Sequence, residues 1–391
     1  MLERTDNPIA VILGGHVNGY SVLQELLDFG IKNIWLIDSK KNPGSYSRLL
    51  SGFTLIDENS TSLYKALKNL SKEYSFLVPF ATNDYYLEWL QQINSKISEF
   101  CFIPFNAEKL DLNLSKAFQY QICKELEIPF PNTITLTKAT DVNKLNDLNF
   151  PIIIKPIKRE DILGEIFRNK VLRKFEDLKK IEQKIDTFLK AGIELIASEI
   201  VPGDDTNIYA YTAHKNINGE IINSWIGKKL NQYPDNYGVF SSATNRAPEI
   251  IRYQGEKLVK SISTYGIIEP EFKFDVRDNT YKLMEINLRS MMWHRIGYLC
   301  GVPLNYSLWR EALNMSPKFY EQNTAINYHF VYLKHELINL IYRKKYLKSF
   351  VNNLYKGNHR SYAYLNKSDL KPFLVDQFFT LKTIISRWLN R

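Results

Sequence analysis

The stretch from Glu269 to Arg289 leaves its backbone few choices. Glu271, Lys273 and Asp275 alternate with Phe272, Phe274 and Val276, the period of a strand with one wet face. Asp278-Asn279 supplies a turn, and the alternation resumes from Tyr281 to Ile286. Such a hairpin brings Glu271 beside Glu285 and Asn287, with Arg289 close by. Two carboxylates and an amide oxygen suit a hard divalent cation, and magnesium prefers a few carboxylates together with substrate phosphates. An ordinary hairpin with a charged outer face alternates in the same way. The rest of the chain decides between the two.

At 391 residues there is room for two or three domains with proper cores. Hydrophobic content of 45% and charged content of 24% are those of a globular protein. No apolar run reaches the ~18 residues of a membrane span, and the first residues lack the layout of a secretory signal. Cys101, Cys123 and Cys300 form neither a metal spacing nor a disulfide framework. These features lead us to expect a cytoplasmic protein. The net charge of +9 is concentrated: from Lys334 to Arg391 there are twelve Lys and Arg against three acids. There Phe378, Leu381, Ile385 and Trp388 recur at helical spacing with Lys382, Arg387 and Arg391 between them. The pattern suits a helix packed on the main body with its cations left for an anionic partner, or a membrane-surface helix.

Near the start, Ile9–Leu13 runs apolar into Gly14-Gly15-His16-Val17-Asn18-Gly19, followed by a helical pattern to Phe29 and a second apolar run, Ile34–Asp38. This is the opening of a βαβ unit. Gly14, Gly19 and Asp38 imitate a dinucleotide fingerprint, but G-G-x-x-x-G is not G-x-G-x-x-G, and the signal is weak. Leu77–Phe80 and Cys101–Pro104 read as further strands with a helix, Asp84–Ile97, between them. A helix that begins at Leu114, with Lys116 early in it and Ile122 and Leu126 on its apolar face, ends near Pro129. Phe150-Pro-Ile-Ile-Ile-Lys155 delivers one Lys at the end of a buried strand, where a fixed cation can neutralise phosphate without reorganisation. A helix is expected at Lys174–Lys190. Ile193–Glu199 is a strand running into Val201-Pro-Gly203-Asp204-Asp205. A hairpin around Asn218-Gly219, a helix at Gly255–Tyr265 and another after Arg289 complete the outline. His294 lies on this last helix, where a lone His is more often structural than catalytic.

Taken in order, these landmarks resemble the ATP-grasp superfamily over residues 111–315. Glu271-Phe272 followed by Glu285-Ile286-Asn287-Leu288-Arg289 is similar to its metal-binding hairpin, with Leu288 where the carboxylate–amine ligase branch usually has Pro. Phe150–Lys155 matches its Phe/Tyr-Pro-apolar-Lys pattern. The resemblance implies that Lys116, Lys155 and Lys229 meet ATP phosphates. It implies that Glu199 and Val201 hold the adenine, and Asp205, or Asp204, the ribose. Glu271, Glu285 and Asn287 would bind magnesium, two ions in all, and Arg289 would stabilise the reacting oxygens. Arg246 is a candidate for substrate carboxylate or transferred phosphate. A glycine-rich lid is expected next to Lys155, yet Ile157–Val171 holds only Gly164; the charged Lys158–Asp161 segment would serve instead, with Lys170 as a further phosphate contact.

The expected fold is therefore α/β and α+β: a Rossmann-like pre-ATP-grasp domain (1–108), a two-lobed ATP-grasp domain (109–315) and a basic, mostly helical C-terminal region (316–391). Ser47-Arg48 after the second strand and the segment Ser361–Pro372 extend the resemblance to carboxylate–amine ligases that include the D-aspartate ligases of cell-wall synthesis. The implied activity joins a carboxylic acid, expected to be an amino acid, to an amine through an acyl phosphate, using ATP and magnesium. The absence of a Ser-His or Cys-His constellation agrees with this. The basic tail suggests an anionic nucleotide- or lipid-linked acceptor, or the inner membrane face; a homodimer is the commonest assembly. Nucleic acid is not expected, because the tail's aromatics form no stacking platform. The rival readings are a non-catalytic nucleotide-binding protein on the same fold and an NAD-dependent oxidoreductase built on the first domain.

Overall fold

The computed structural model describes residues 6–157, 169–234 and 238–389, and of Asp205 and residues 387–389 the backbone alone. The expected lid segment Lys158–Asp161 lies outside the described residues. The chain divides into two compact units, one of residues 1–110, 204–270 and 287–391, the other of residues 111–203 and 271–286.

The first unit opens with a parallel sheet of β1 (Pro8–Leu13), β2 (Ile34–Asp38), β3 (Gly52–Leu55) and β4 (Phe76–Ala81), in the order β3-β2-β1-β4. Ile9–Leu13 are all buried, as an unbroken apolar run should be when helices cover both faces of a sheet. The helices are α1 (Val17–Asp28), α2 (Ser60–Leu70) and α3 (Asp84–Ile97). The strand expected at Cys101–Pro104 shrinks to one bridge, Leu77 to Cys101. Phe102 N bonds Leu77 O, but Pro104 has no N–H with which to continue the ladder.

The second unit holds α4 (Leu110–Leu114, entering from the first unit), α5 (Lys116–Glu125), β5 (Thr133–Leu136), β6 (Ile152–Pro156), β7 (Lys170–Leu172), α6 (Glu182–Lys190) and β8 (Leu195–Glu199). Its sheet is antiparallel in the order β5-β8-β6-β7. Ile152, Ile154, Leu172 and Leu195 meet Ile185 and Phe188 of α6 in its core. The helix expected over Lys174–Lys190 is two pieces, a 3-10 stretch Phe175–Lys180 and α6. They break at Ile181, which leaves helical geometry and turns its side chain into that core.

Returning to the first unit, β9 (Ile208–Lys215), β10 (Ile221–Tyr233), β11 (Val239–Thr244), α7 (Glu249–Ser261), β12 (Gly266–Asp275) and β13 (Thr280–Asn287) follow. The remaining elements are α8 (Arg295–Leu299), α9 (Leu304–Ala312), β14 (Tyr328–Val331), α10 (Leu333–Tyr342), α11 (Leu347–Tyr355), β15 (His359–Tyr362) and α12 (Lys371–Leu389). The seven strands form one sheet, β13-β12-β9-β10-β11-β14-β15, and residues 271–286 of its hairpin are counted with the second unit. The β9–β10 hairpin turns at Gly219, at φ +87°. Helix α7 begins six residues before the expected Gly255, at Glu249 after Pro248. It stops at Ser261 because Lys215 Nζ takes the carbonyls of Val259 and Ile262 at its end. The helix expected after Arg289 is only α8, since Met291 N bonds the His294 ring and holds the preceding residues in a turn. The C-terminal region is not purely helical: β14 and β15 pair in parallel at the sheet edge.

One hydrophobic core joins early and late parts of this unit, including Ile12, Tyr20, Phe80, Trp225, Trp293 and Tyr364. A polar clasp adds to it. Ser47 Oγ and Tyr20 OH donate to Asp369 Oδ2 at 2.5 and 3.2 Å, and Asp369 is fully buried. Ser47-Arg48 and the Ser361–Pro372 segment, through its Asp369, thus meet.

Candidate functional site

Within the second unit, Lys116 opens α5 and reaches Glu285 on β13: Lys116 Nζ to Glu285 Oε2 is 2.9 Å, and Nζ also donates to Met284 O at 3.2 Å. The backbone fixes this meeting. Gln119, one turn along α5, donates to Ile286 O and accepts from Ile286 N, a two-point join of helix and strand. Lys155, at the end of β6, is close enough to Lys116 for the two ammonium groups to repel each other. Burial works against the charge on Lys116, but the Glu285 carboxylate and Tyr120 outweigh it and raise its proton affinity. Lys155 has the opposite fate: burial and then the neighbouring Lys116 lower it. Two cations thus share one carboxylate, and the second is held at a cost that an arriving anion would remove.

Glu199 ends β8 and is buried. Its Oε1 accepts from Asn132 Nδ2 at 3.0 Å and from both the backbone and side chain of Asn149 at 2.9 Å, while Oε2 is 3.8 Å from Arg277. Burial opposes its ionisation, yet these donors lower its pKa. Glu199, expected as an adenine contact, here bonds residues of its own unit. The amides of Glu199 and Ile200 are also engaged, with Asn132 O and Pro151 O. Val201 is buried just beyond. Lys170 begins β7 and lines a basic surface depression with Arg173, Lys180 and Lys184.

Within the first unit the organiser is Glu269, fully buried on β12. His294 Nε2 lies 2.6 Å from its Oε2, Thr212 Oγ1 donates to the same oxygen at 3.3 Å, and Asn287 Nδ2 donates to Oε1 at 3.4 Å. Met291 N donates to His294 Nδ1 at 3.1 Å, so Nδ1 is the acceptor and Nε2 carries the proton toward Glu269. With its Nδ2 turned to Glu269, Asn287 keeps its carbonyl oxygen as the atom to offer a ligand. That is the atom magnesium would take, and Glu285, two residues back on β13, projects on the same face. Among the described residues no three or more His, Cys, Asp or Glu gather to hold an ion. The expected set counts two carboxylates and an amide, and the orientation of Asn287 fits it. Sequence reading missed Glu269. The signal was an acid ending the run Ile267-Ile268, where a buried charge must have partners.

Lys229, on β10, is buried with its ammonium 5.9 Å from the Trp293 ring centre. Arg289 pairs with Asp84 of α3, Nε to Oδ1 2.6 Å. Arg246 is the candidate for substrate carboxylate or transferred phosphate. Its guanidinium donates to Thr324 O and Ala325 O at 2.5 and 3.3 Å and so holds a loop. The Asp205 side chain lies outside the described residues; Asp204 caps the next turn by accepting from Thr206 N and Oγ1.

The early Gly-rich turn is closed by its own chain. Asp38 Oδ2 accepts from Gly15 N at 2.7 Å and from Asn42 Nδ2 at 2.8 Å, and Oδ1 accepts from Tyr86 OH at 3.1 Å. Gly44 N bonds Gly15 O at 3.0 Å, laying the segment Pro43–Tyr46 over the turn. The acid that imitated a ribose ligand is spent on the fold.

No family model matches the chain. It is 25% identical over 305 residues to a D-aspartate ligase of Enterococcus faecium, covering 72% of this chain and 71% of that protein. Its fold is similar to that of N5-carboxyaminoimidazole synthetase from Staphylococcus aureus complexed with ADP. There the TM-score is 0.61 at 16% identity, over 81% of this chain and 80% of the other. It is also similar to L-amino acid ligase from Bacillus licheniformis, with TM-score 0.55 at 13% identity, over 80% and 75%. This likeness in sequence and fold to ATP-dependent enzymes that form C–N bonds supports the ATP-grasp carboxylate–amine ligase family as the one this chain resembles.

Proposed function

We propose that this protein couples ATP hydrolysis to ADP and phosphate with joining an amino acid's carboxylate to an amine, and that the acceptor is a cell-wall or cell-surface precursor. The observation that carries the reading is the pair Lys116–Lys155 beside Glu285: two adjacent half-buried cations with one carboxylate are a place for phosphate oxygens. The likeness to a D-aspartate ligase suggests the acid and the class of acceptor.

In this reading Lys116, Lys155 and Lys229 bind the ATP phosphates, and Lys170 adds a further contact. The adenine lies against Val201, with Glu199 holding that bend in shape, and Asp205 takes the ribose. Glu271, Glu285 and Asn287 would hold magnesium, expected as two ions, which screens the charge between substrate carboxylate and triphosphate. A carboxylate oxygen of the acid attacks the γ-phosphorus and ADP leaves; the acyl phosphate is then attacked at its carbonyl carbon by the amine. Phosphate departs, and the amine loses its proton. Arg289 stabilises charge on the reacting oxygens, held in place by Asp84. A homodimer at the inner membrane face remains the expected setting.

ADP release is measured with ATP and magnesium across a panel of amino acids, with and without cell-wall precursors. Stimulation by one acid, lost in Glu285→Gln, supports the ligase. A flat panel in which ATP still raises Tm supports the rival, a non-catalytic nucleotide-binding protein.

A further inference from the structure

The acids of the C-terminal region are all taken out of solvent. Glu336 is fully buried and accepts from Ser241, Tyr346 and Asn353. Asp369 is the buried acceptor of the clasp, and Asp376 accepts from Tyr332 OH at 2.9 Å while 1% exposed. These are the three acids of residues 334–391. Lys344, Lys345, Lys348, Lys356, Lys371 and Lys382 are exposed. Among the described side chains of this region, every solvent-facing charge is therefore positive.

Helix α12 adds an unusual outer face. Its inner side buries Pro372, Asp376 and Thr380. On the far side Leu374, Phe378, Leu381 and Ile385 recur every three or four residues and are 54–62% exposed, with Leu370 just before the helix at 46%. Lys371 and Lys382 flank this stripe. Ordinary surface helices put charge where this one puts Leu, Phe and Ile. Neighbouring α11 repeats the habit, with Leu347, Val351 and Tyr355 exposed.

We propose that the outer face of α12 docks on an anionic lipid bilayer, its apolar stripe entering the headgroup boundary and the surrounding lysines meeting lipid phosphates. Charge decides the occupant. A second copy joined through the same patch would set lysines against lysines, the wrong arrangement for a self-complementary interface. Nucleic acid would use the lysines and leave the aliphatic stripe in water. A bilayer with acidic headgroups satisfies both layers at once, and a helix of one apolar and one basic band is how proteins lie on such a surface. No helix among the described residues is long and apolar enough to cross a membrane, and the proposed contact is that of a helix lying along the surface. The inference is independent of the ligase reading.

The full-length chain is co-sedimented, without nucleotide, with vesicles of phosphatidylcholine alone and of phosphatidylcholine with phosphatidylglycerol. Binding is expected to the second kind and to fall as salt is raised. Leu374→Ser/Phe378→Ser/Ile385→Ser should weaken it roughly tenfold or more, and Lys371→Glu/Lys382→Glu by a similar factor, with unchanged Tm in both. ADP release with soluble substrates should also be unchanged in both, which separates this surface from the reaction. Lack of binding to the anionic vesicles at low salt overturns the proposal. So does full binding by the triple Ser variant, or a wild-type dimer in light scattering that this variant abolishes.

Discussion

The two nucleotide-like features of this chain, the Gly14–Gly19 turn with Asp38 and the Lys116–Lys155 pair with Glu285, ended differently. Around Asp38, every visible demand is met from within: four donors, Gly15 N, Lys40 N, Asn42 Nδ2 and Tyr86 OH, on one carboxylate, and the chain's own loop over the glycines. Around Lys155 the fold leaves a debt, a cation desolvated beside another cation. A motif that has spent its hydrogen-bonding capacity on itself is architecture. A charge kept at a cost marks where something is to bind.

The largest effect that would test this contrast is Lys155→Ala or Glu285→Gln, which should lower ADP release by roughly 10²–10³-fold; Lys155→Ala should also remove the rise in Tm given by ADP. Normal nucleotide protection in Lys155→Ala would end the argument from unpaired charge. Next, Glu269→Gln removes the acceptor that orients Asn287 and should weaken magnesium binding by about 10- to 100-fold, as losing a support behind a metal ligand does. The readout is Mn²⁺ affinity followed by its EPR signal, with Glu269→Asp recovering part of the loss. An unchanged affinity would make the buried carboxylate purely structural.

Asp38→Ala tests the other side. It strands the Gly15 amide and the Tyr86 hydroxyl and should cost about 2 kcal/mol of stability, read by denaturant unfolding, while nicotinamide nucleotides leave Tm unmoved in both wild type and variant. A smaller effect concerns protons. Because burial and Lys116 lower the proton affinity of Lys155, the unfolded chain holds more protons there, and this group's contribution to stability rises with pH from the lowered value up to the ordinary 10.5. Phosphate binding restores its charge, so ADP affinity should fall as pH rises through that window. Calorimetry in two buffers of different ionisation enthalpy should record uptake of a fraction of a proton, and zero uptake would count against the pair. Least of all, Arg246→Ala should change kcat and KM by less than about twofold, since among the described residues its guanidinium bonds the loop carbonyls of Thr324 and Ala325.

What could be read from the sequence follows from how local each cause is. The β12–β13 hairpin and helix α3 were legible because alternation and helical spacing are written in adjacent residues. The strand at Cys101 was not, since whether it pairs depends on what Leu77 offers across the sheet. Helix α7 stops where Lys215, 44 residues earlier, reaches its last carbonyls. The same limit applied to the site. The resemblance of short motifs along the chain pointed to Lys116, Lys155 and Glu285, but that the Glu199 carboxylate bonds Asn132 and Asn149, or that Glu269 steers Asn287, depends on distant partners.

The clasp of Ser47, Tyr20 and Asp369 has a consequence for biosynthesis. Translation delivers Tyr20 and Ser47 more than three hundred residues before their acceptor. The first sheet therefore spends most of the protein's synthesis without this closure, and without the late-made Trp293, Phe330 and Tyr364 of its shared core. Domains commonly complete themselves in the order they leave the ribosome. Here the N-terminal part waits for the C-terminal one, and nascent chains halted before residue 369 should remain sensitive to protease around Ser47.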